Sequence, residues 1–215
     1  MRILAIDFSS ERRSVAVCHG EKVAGQAAET GGRNTRAFAL IEEALRQAGF
    51  NRDAIECVAV GLGPGSYTGI RAAIALAQGW QLARGLRLLG ISSVEALAAQ
   101  AQAASLHGQV HVLIDAQRNE FYGATYQIEL NSLNLDSPLR LLTASQADSL
   151  ADQGHLVGEP ALRSRWPQLH PMSPEAAMLG RLAAHRTDFI AGEVLEPIYL
   201  RETNFVKAPP PRVPS

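Results

Sequence analysis

The chain has 215 residues, 47% of them apolar and 19% charged, with a formal net charge of −1. That length holds one large domain or two small lobes around a proper core, and the balanced charge excludes a protein that binds nucleic acid through a strong basic field of its own. The start, residues 1–7, is too short for a signal h-region, and the alanine-rich stretch 70–83, broken by Arg71, Gln78 and Gln81, is too short to span a bilayer, so a soluble cytosolic protein with no membrane partner is expected. Cys18 and Cys57 lie in apolar, strand-like runs and read as small core residues rather than a disulfide.

In chain order, residues 2–8 read as a buried strand, and 14–18 and 22–28 alternate around the turn His19-Gly20-Glu21, which makes a three-stranded antiparallel meander. Asn34 or Thr35 is placed to cap a helix over 36–48, which Gly49 ends. A fourth strand at 57–61 runs into Gly61-Leu62-Gly63-Pro64-Gly65-Ser66-Tyr67-Thr68-Gly69-Ile70-Arg71, and a helix follows over 70–84. Residues 88–91 form a fifth strand, and Ser92 with Glu95 makes a capping box for the next helix. The pattern then restarts. Strands are expected at 110–115, 120–130 and 139–142, with a polar turn over 131–137, then a short helix at 144–151 and a strand at 155–157. A last helix, 174–185, is capped by Ser173, and the proline-rich tail 207–215 is expected to be extended or disordered.

The glycine-rich stretch is the most informative segment. Its glycines let the backbone turn sharply and approach a neighbour closely, and Ser66, Thr68 and the first N–H groups of the following helix suit an anion, although a tight turn alone is the competing reading. It is not a Walker A loop, since no lysine follows the glycines, and it follows a late strand rather than the first strand of a dinucleotide fold. Two meander-plus-helix halves, each with an Asp ending its first strand (Asp7 and Asp115), describe a two-lobed α/β protein of the actin-like ATPase (ASKHA, ribonuclease H-like) class with a reduced second lobe. The lobes are assigned to residues 1–104 and 105–215.

Ile3-Leu4-Ala5-Ile6-Asp7-Phe8-Ser9-Ser10, the long glycine-rich motif, Ile114-Asp115-Ala116-Gln117-Arg118 with Glu120 and Tyr122, and Pro197-Ile198-Tyr199-Leu200-Arg201 together resemble the TsaB (YeaZ) family over essentially the whole chain. The resemblance implies a non-catalytic subunit of the bacterial machinery that makes N6-threonylcarbamoyladenosine (t6A) at position 37 of tRNAs reading ANN codons. It further implies pairing with the catalytic relative TsaD, with the ATPase TsaE joining them and TsaC supplying threonylcarbamoyl-adenylate. Contact with tRNA would then come through the complex.

An actin-like phosphotransferase clamps nucleotide phosphates between two hairpins. The first is represented by Asp7, Ser9 and Ser10, which with Gly63, Gly65, Ser66 and Thr68 form a candidate vestigial nucleotide site; satisfying the turn's own N–H groups is the alternative role for Asp7 and Ser9. The second hairpin, Asp115-Ala116-Gln117-Arg118, lacks the glycines that close phosphate approach requires. No tightly bound cofactor is expected, and a nucleotide at the partner interface stays open. The family's catalytic relative carries two metal-binding histidines on the helix after the fifth strand; Ser93 and Leu97 occupy those places here. His107 and His111 have i, i+4 spacing, but Gly108 and a strand beginning near Val110 remove the helix that would align them. No H-E-x-x-H occurs, which weighs against a peptidase of the M22 type. A surviving ATPase or kinase and a free-standing homodimeric module are the rival readings.

The helices offer surplus apolar surface. In the 70–84 helix, Ile70, Ala73, Ile74 and Ala77 share one face, while Ala72, Ala75, Leu76, Gly79 and Ala83 lie almost opposite. In the 36–48 helix, Phe38, Ile41, Leu45 and Ala48 form one stripe and Ala37, Leu40 and Ala44 another. Mutual cover by the two helices would account for this. The preferred expectation is a partner surface built from Leu40, Ala44, Ala72, Ala75, Leu76, Gly79 and Ala83, taking TsaD or a second copy of the chain.

Overall fold

The computed structural model describes residues 1–31 and 35–200. β1 (Arg2–Asp7), β2 (Arg12–His19) and β3 (Lys22–Thr30) form an antiparallel meander, and α1 (Ala37–Ala48) leads into β4 (Cys57–Gly61), which lies parallel to β1. α2 (Tyr67–Arg84) then returns the chain to β5 (Arg87–Ile91), parallel to β4, so the first sheet has the order β3-β2-β1-β4-β5. After α3 (Ser93–Ala103) the plan repeats with β6 (Gly108–Asp115), β7 (Glu120–Ile128), β8 (Leu133–Thr143), α4 (Ala144–Leu150), β9 (His155–Gly158) and β10 (His170–Pro171). The second sheet, β8-β7-β6-β9-β10, has the same topology: three antiparallel strands, then two parallel to the first. α5 (Ala176–Ala183) ends the series. This duplicated order is the two-lobed actin-like fold. The second lobe is the reduced copy, because a 3-10 turn at Pro160–Ser164 stands where the first lobe has the 18-residue α2.

The central strands are apolar at nearly every position because both faces of their sheets are covered. Toward α1 and α2, the first sheet presents Leu4, Ile6, Val15, Val17, Val58 and Val60. Toward α5 it presents smaller side chains, among them Ala5, Ala16, Cys18 and Ala59. α5 uses that room: a Cβ on Gly180 would stand 2.3 Å from the Cys18 sulfur. α3 lies beside α5 and buries Val94, Leu97, Ala98 and Ala101 against β6, β7 and β9 of the second sheet. Leu113, Phe121, Leu142, Leu156, Leu162 and Trp166 fill the outer face of that sheet. The packing therefore crosses the 104/105 division. Residues after β10 belong to the first sheet's core, through α5 and through Leu195 and the bridge between Leu88 and Ile190.

Several local expectations are corrected. α2 starts three residues before Ile70, with Ser66 as its cap and the Ser66 hydroxyl accepting from the Gly69 N–H. The Ser92–Glu95 capping box does not form; the Ser92 hydroxyl donates to the Gly63 carbonyl, and Glu95 instead pairs with Arg186 at 3.1 Å. A capping box does form at Thr143 and Gln146, at the start of α4. β8 begins at Leu133, because the polar residues Asn134 and Asp136 lie on an edge strand rather than in a turn. α5 starts at Ala176, whose N–H donates to Ser14 of β2, so neither Ser173 nor Pro174 begins that helix. Arg36, not Thr35, is the N-cap residue of α1, and the Asn34 candidate and the tail 207–215 lie outside the described residues.

Candidate functional site

A cleft of about 1040 Å³ opens between the two sheets' hairpins. Its first wall carries Ser9, Ser10 and Glu11 from the β1–β2 turn and Gly65, Ser66 and Tyr67 from the α2 entry; the opposite wall carries Asp115 to Asn119 from the β6–β7 turn and Glu159 to Leu162 after β9. The two walls follow from the repeat, since each lobe ends its first strand in an Asp-led turn and residues of both turns line the cleft.

Asp7 does not line the cleft but lies beneath it. Its Oδ1 accepts from the Ser9 N–H at 2.9 Å and the Ser9 hydroxyl at 2.7 Å, and the Ser93 hydroxyl continues the chain to Ser9 at 2.9 Å. The carboxyl is fully buried and its Oδ2 has no hydrogen-bond partner. Burial pushes its pKa up to about 6, against a smaller downward pull from the Ser9 bonds.

The glycine-rich loop is packed directly on this turn. The Ser66 N–H donates to the Ser9 carbonyl at 2.7 Å, and a Cβ on Gly65 or Gly69 would stand 2.1 Å from the Ser9 carbonyl or 2.0 Å from that of Phe8. Those glycines serve close backbone approach within the lobe. Of the expected nucleotide residues, Ser9, Ser10, Gly65 and Ser66 reach the cleft. Gly63 is buried with its carbonyl accepting from Ser93 N–H, and Thr68 faces solvent outside the cleft.

The second turn is built differently. Asp115 accepts from the Gln117 N–H at 2.7 Å, the same Asx geometry as Asp7, but it is exposed. Gln117, Arg118 and Asn119 then take φ of +65°, +58° and +59° in succession. Three consecutive non-glycine residues in the left-handed region cost about 1 kcal/mol each or more. Arg165 braces them: it donates to Asn119 Oδ1 at 3.2 Å while two of its nitrogens donate to Asp148 at 2.9 and 2.6 Å.

The cleft's charge is mixed. Glu159 is half-buried, and burial first, then Glu11, Asp115 and Asp7, raise its pKa. Arg12 is engaged by Glu175 at 3.4 Å and Arg165 by Asp148, whereas Arg118 has no partner among the described residues. Carboxylates on both walls repel a polyanion. No histidine or cysteine lines the cleft, and no group of three or more His, Cys, Asp or Glu is placed to hold a metal ion among the described residues. His107 is exposed before β6, while His111 is buried within it with Nδ1 against the Thr125 hydroxyl at 2.9 Å. Glu159, Arg165 and Tyr67 are cleft residues that the sequence reading missed. Gly158-Glu159-Pro160 follows β9 as the glycine-proline loop follows β4, so aligning the halves further would have pointed to Glu159.

The second feature is the outer face of α2. Ala72, Ala75, Gly79 and Ala83 are exposed, Leu76 is half-buried against the core, and Leu82 is 92% exposed. Leu40 and Ala44 are not part of this surface: they are buried with Ile41 and Leu45 on the sheet, because α1 has one apolar stripe rather than two. Phe38, grouped with Ile41, Leu45 and Ala48 in one stripe, is 62% exposed. Among the described residues, no helix is long and apolar enough to cross a membrane.

Residues 33–202 match the family model described as TsaD, tRNA N6-adenosine threonylcarbamoyltransferase. The chain is similar to the tRNA threonylcarbamoyladenosine biosynthesis protein TsaB of Escherichia coli, 34% identical over 62% of this chain and 58% of that protein. It is 36% identical to the protein of the same name from Haemophilus influenzae, over 57% of this chain and 52% of that one. The matched region thus spans a little over half of these relatives' lengths. Among solved structures, YeaZ from Pseudomonas aeruginosa superposes with a TM-score of 0.79 at 27% identity, covering 93% of this chain and 99% of that one. A second Pseudomonas aeruginosa structure, of a protein described as similar to the peptidase YeaZ, gives 0.80 at 28% identity, with the same coverage. The chain belongs to the TsaD-type family, on its TsaB/YeaZ branch.

Proposed function

From that membership, we propose that the protein is a non-catalytic subunit of the tRNA t6A-synthesis machinery, docking a TsaD-type catalytic subunit in the cytoplasm, with TsaE joining the assembly and tRNA reached through the complex. The observation that carries the docking reading is the outer face of α2. Its small residues Ala72, Ala75, Gly79 and Ala83 admit a partner helix at close range, and the fully presented Leu82 has no counterpart in the chain's own core. A non-catalytic role is supported by the positions that resemble the catalytic relative's metal ligands: Ser93 is hydrogen-bonded to Ser9 and Leu97 is buried against the second sheet. The carboxylates of the cleft favour weak nucleotide binding at best and no turnover by the chain alone.

Gel filtration and pull-down with a TsaD-type partner test the reading. Leu82→Glu puts a charge beside Ala75 and Ala83 in the last turn of α2, on a face that buries on the order of 800 Å² in a standard interface, so pairing should weaken strongly while circular dichroism stays unchanged. Leu82 is the cleaner site than Leu76, which also packs on the core. Normal pairing by a folded Leu82→Glu chain would remove α2 from the interface. A second copy seated on the same face is the alternative occupant, and loss of self-association without loss of TsaD binding would identify it.

A further inference from the structure

The β6–β7 turn is held in an unfavourable conformation by a group that belongs to neither of its strands. Arg165 follows the 3-10 turn after β9 and reaches three elements at once. It forks onto Asp148 of α4 and donates to the Asn119 side chain at the tip; its guanidinium lies 5.3 Å from the Trp166 ring centroid and 5.9 Å from that of Phe121 in β7. The fork is itself fixed, because the Trp166 indole N–H donates to the same Asp148 carboxylate at 3.0 Å and Trp166 packs edge-on against Phe121. A bidentate, stacked arginine is a rigid brace where a lone surface ion pair would be weak. Strain of this kind persists only where its surroundings over-determine it, and it gathers at functional sites. Here it sits on the cleft wall, opposite Ser9, Ser10 and Tyr67.

We propose that Arg165 is a positioning residue, which holds the Gln117–Asn119 tip in its left-handed conformation so that the assembled complex works on a preformed cleft wall. The functional part rests on the scaffold reading above; the structural part does not. Arg165 lies on the second lobe and α2 on the first, so its removal is expected to leave partner binding intact.

The experiment compares Arg165→Met, Asn119→Gly and the double variant in the full chain. In Arg165→Met alone, hydrogen exchange at the Gln117 and Glu120 amides, which close the turn onto Asp115 and Gln117, should speed up by about tenfold. With the TsaD-type partner and the other components present, t6A formation should fall about tenfold while partner affinity stays within about twofold. Glycine takes a φ near +60° without a brace, so Asn119→Gly should restore most of the activity lost in Arg165→Met, a coupling that simple loss of stability would not produce. Unchanged exchange at the tip, t6A formation within about twofold of the parent, or a double variant as poor as Arg165→Met would each overturn the proposal. If the parent chain adds nothing to t6A formation, the scaffold reading fails instead, and the exchange result still decides whether Arg165 holds the tip.

Discussion

The two hairpin turns begin alike and are secured by opposite means. At β1–β2, Asp7 is sealed under the glycine-rich loop, and glycines at 65 and 69 let backbone meet backbone at distances that admit no Cβ. At β6–β7, Asp115 stays in solvent and three side-chain-bearing residues are forced left-handed, with Arg165 as an external brace. One turn is fixed by removing atoms and the other by adding a network. The difference shows how a duplicated fold diverges: the first lobe keeps an 18-residue α2 behind its turn, and the second has only Pro160–Ser164.

The sharpest way to break the comparison is Gly69→Ala. Its Cβ would collide with the Phe8 carbonyl, a backbone atom that cannot move aside, so a loss of at least about 3 kcal/mol is expected, read by urea denaturation. A near-neutral result would mean that the loop is not pressed on the first turn. Asp7→Asn follows. A carboxyl whose native pKa is raised to about 6 binds its proton more tightly in the folded state, so its contribution is fully present below the unfolded value of 3.8 and is lost as pH rises to 6. Asn keeps an acceptor for Ser9 and carries no charge, so it should stabilise the chain by about 2 kcal/mol at pH 7 and by little at pH 4. Thermal melts at the two pH values check this, and an equal effect at both would refute the buried-charge account.

The smallest effect is expected at Gly79, where a Cβ meets nothing within 4 Å. Gly79→Ala should raise stability by about 0.5–1 kcal/mol through helix propensity alone. The same methyl group would weaken a partner that packs closely on α2, so a stabilised monomer with poorer pairing is the expected combination in melts and gel filtration.

The strands were legible because burial on both faces leaves no polar positions in segments such as Ile3–Ile6 or Cys57–Gly61, and Gly49 marked the end of α1 as a left-handed residue. Lobe repetition was equally plain from the two Asp-ended strands. What stayed hidden depends on partners remote in sequence. Ser92 and Glu95 have the spacing of a capping box, yet Gly63 and Arg186 claim their side chains. Leu40 and Ala44 read as a separate stripe because a helical pattern shows faces but not the width of the sheet beneath them. The outer position of Ala72, Ala75, Gly79 and Ala83 was readable, since four small residues on one side of α2 leave the other side to pack. The brace at Arg165 carries no local signature at all; Asn119, Asp148 and Arg165 meet only once the second sheet is formed.

The placement of α5 has a consequence in time. The first sheet's strands are complete once Ile91 has been synthesised, but the face lined by Ala5, Ala16, Cys18 and Ala59 is covered only by a helix that ends at Ala183. At about 5–20 residues per second, a ribosome takes roughly 5–20 s to supply the intervening chain. During that interval the nascent first lobe exposes one apolar side, and the second sheet is made while the first still waits for its cover. Helix α5 thus acts as a latch on the first sheet, whose native packing is sealed only after Ala183 has been synthesised.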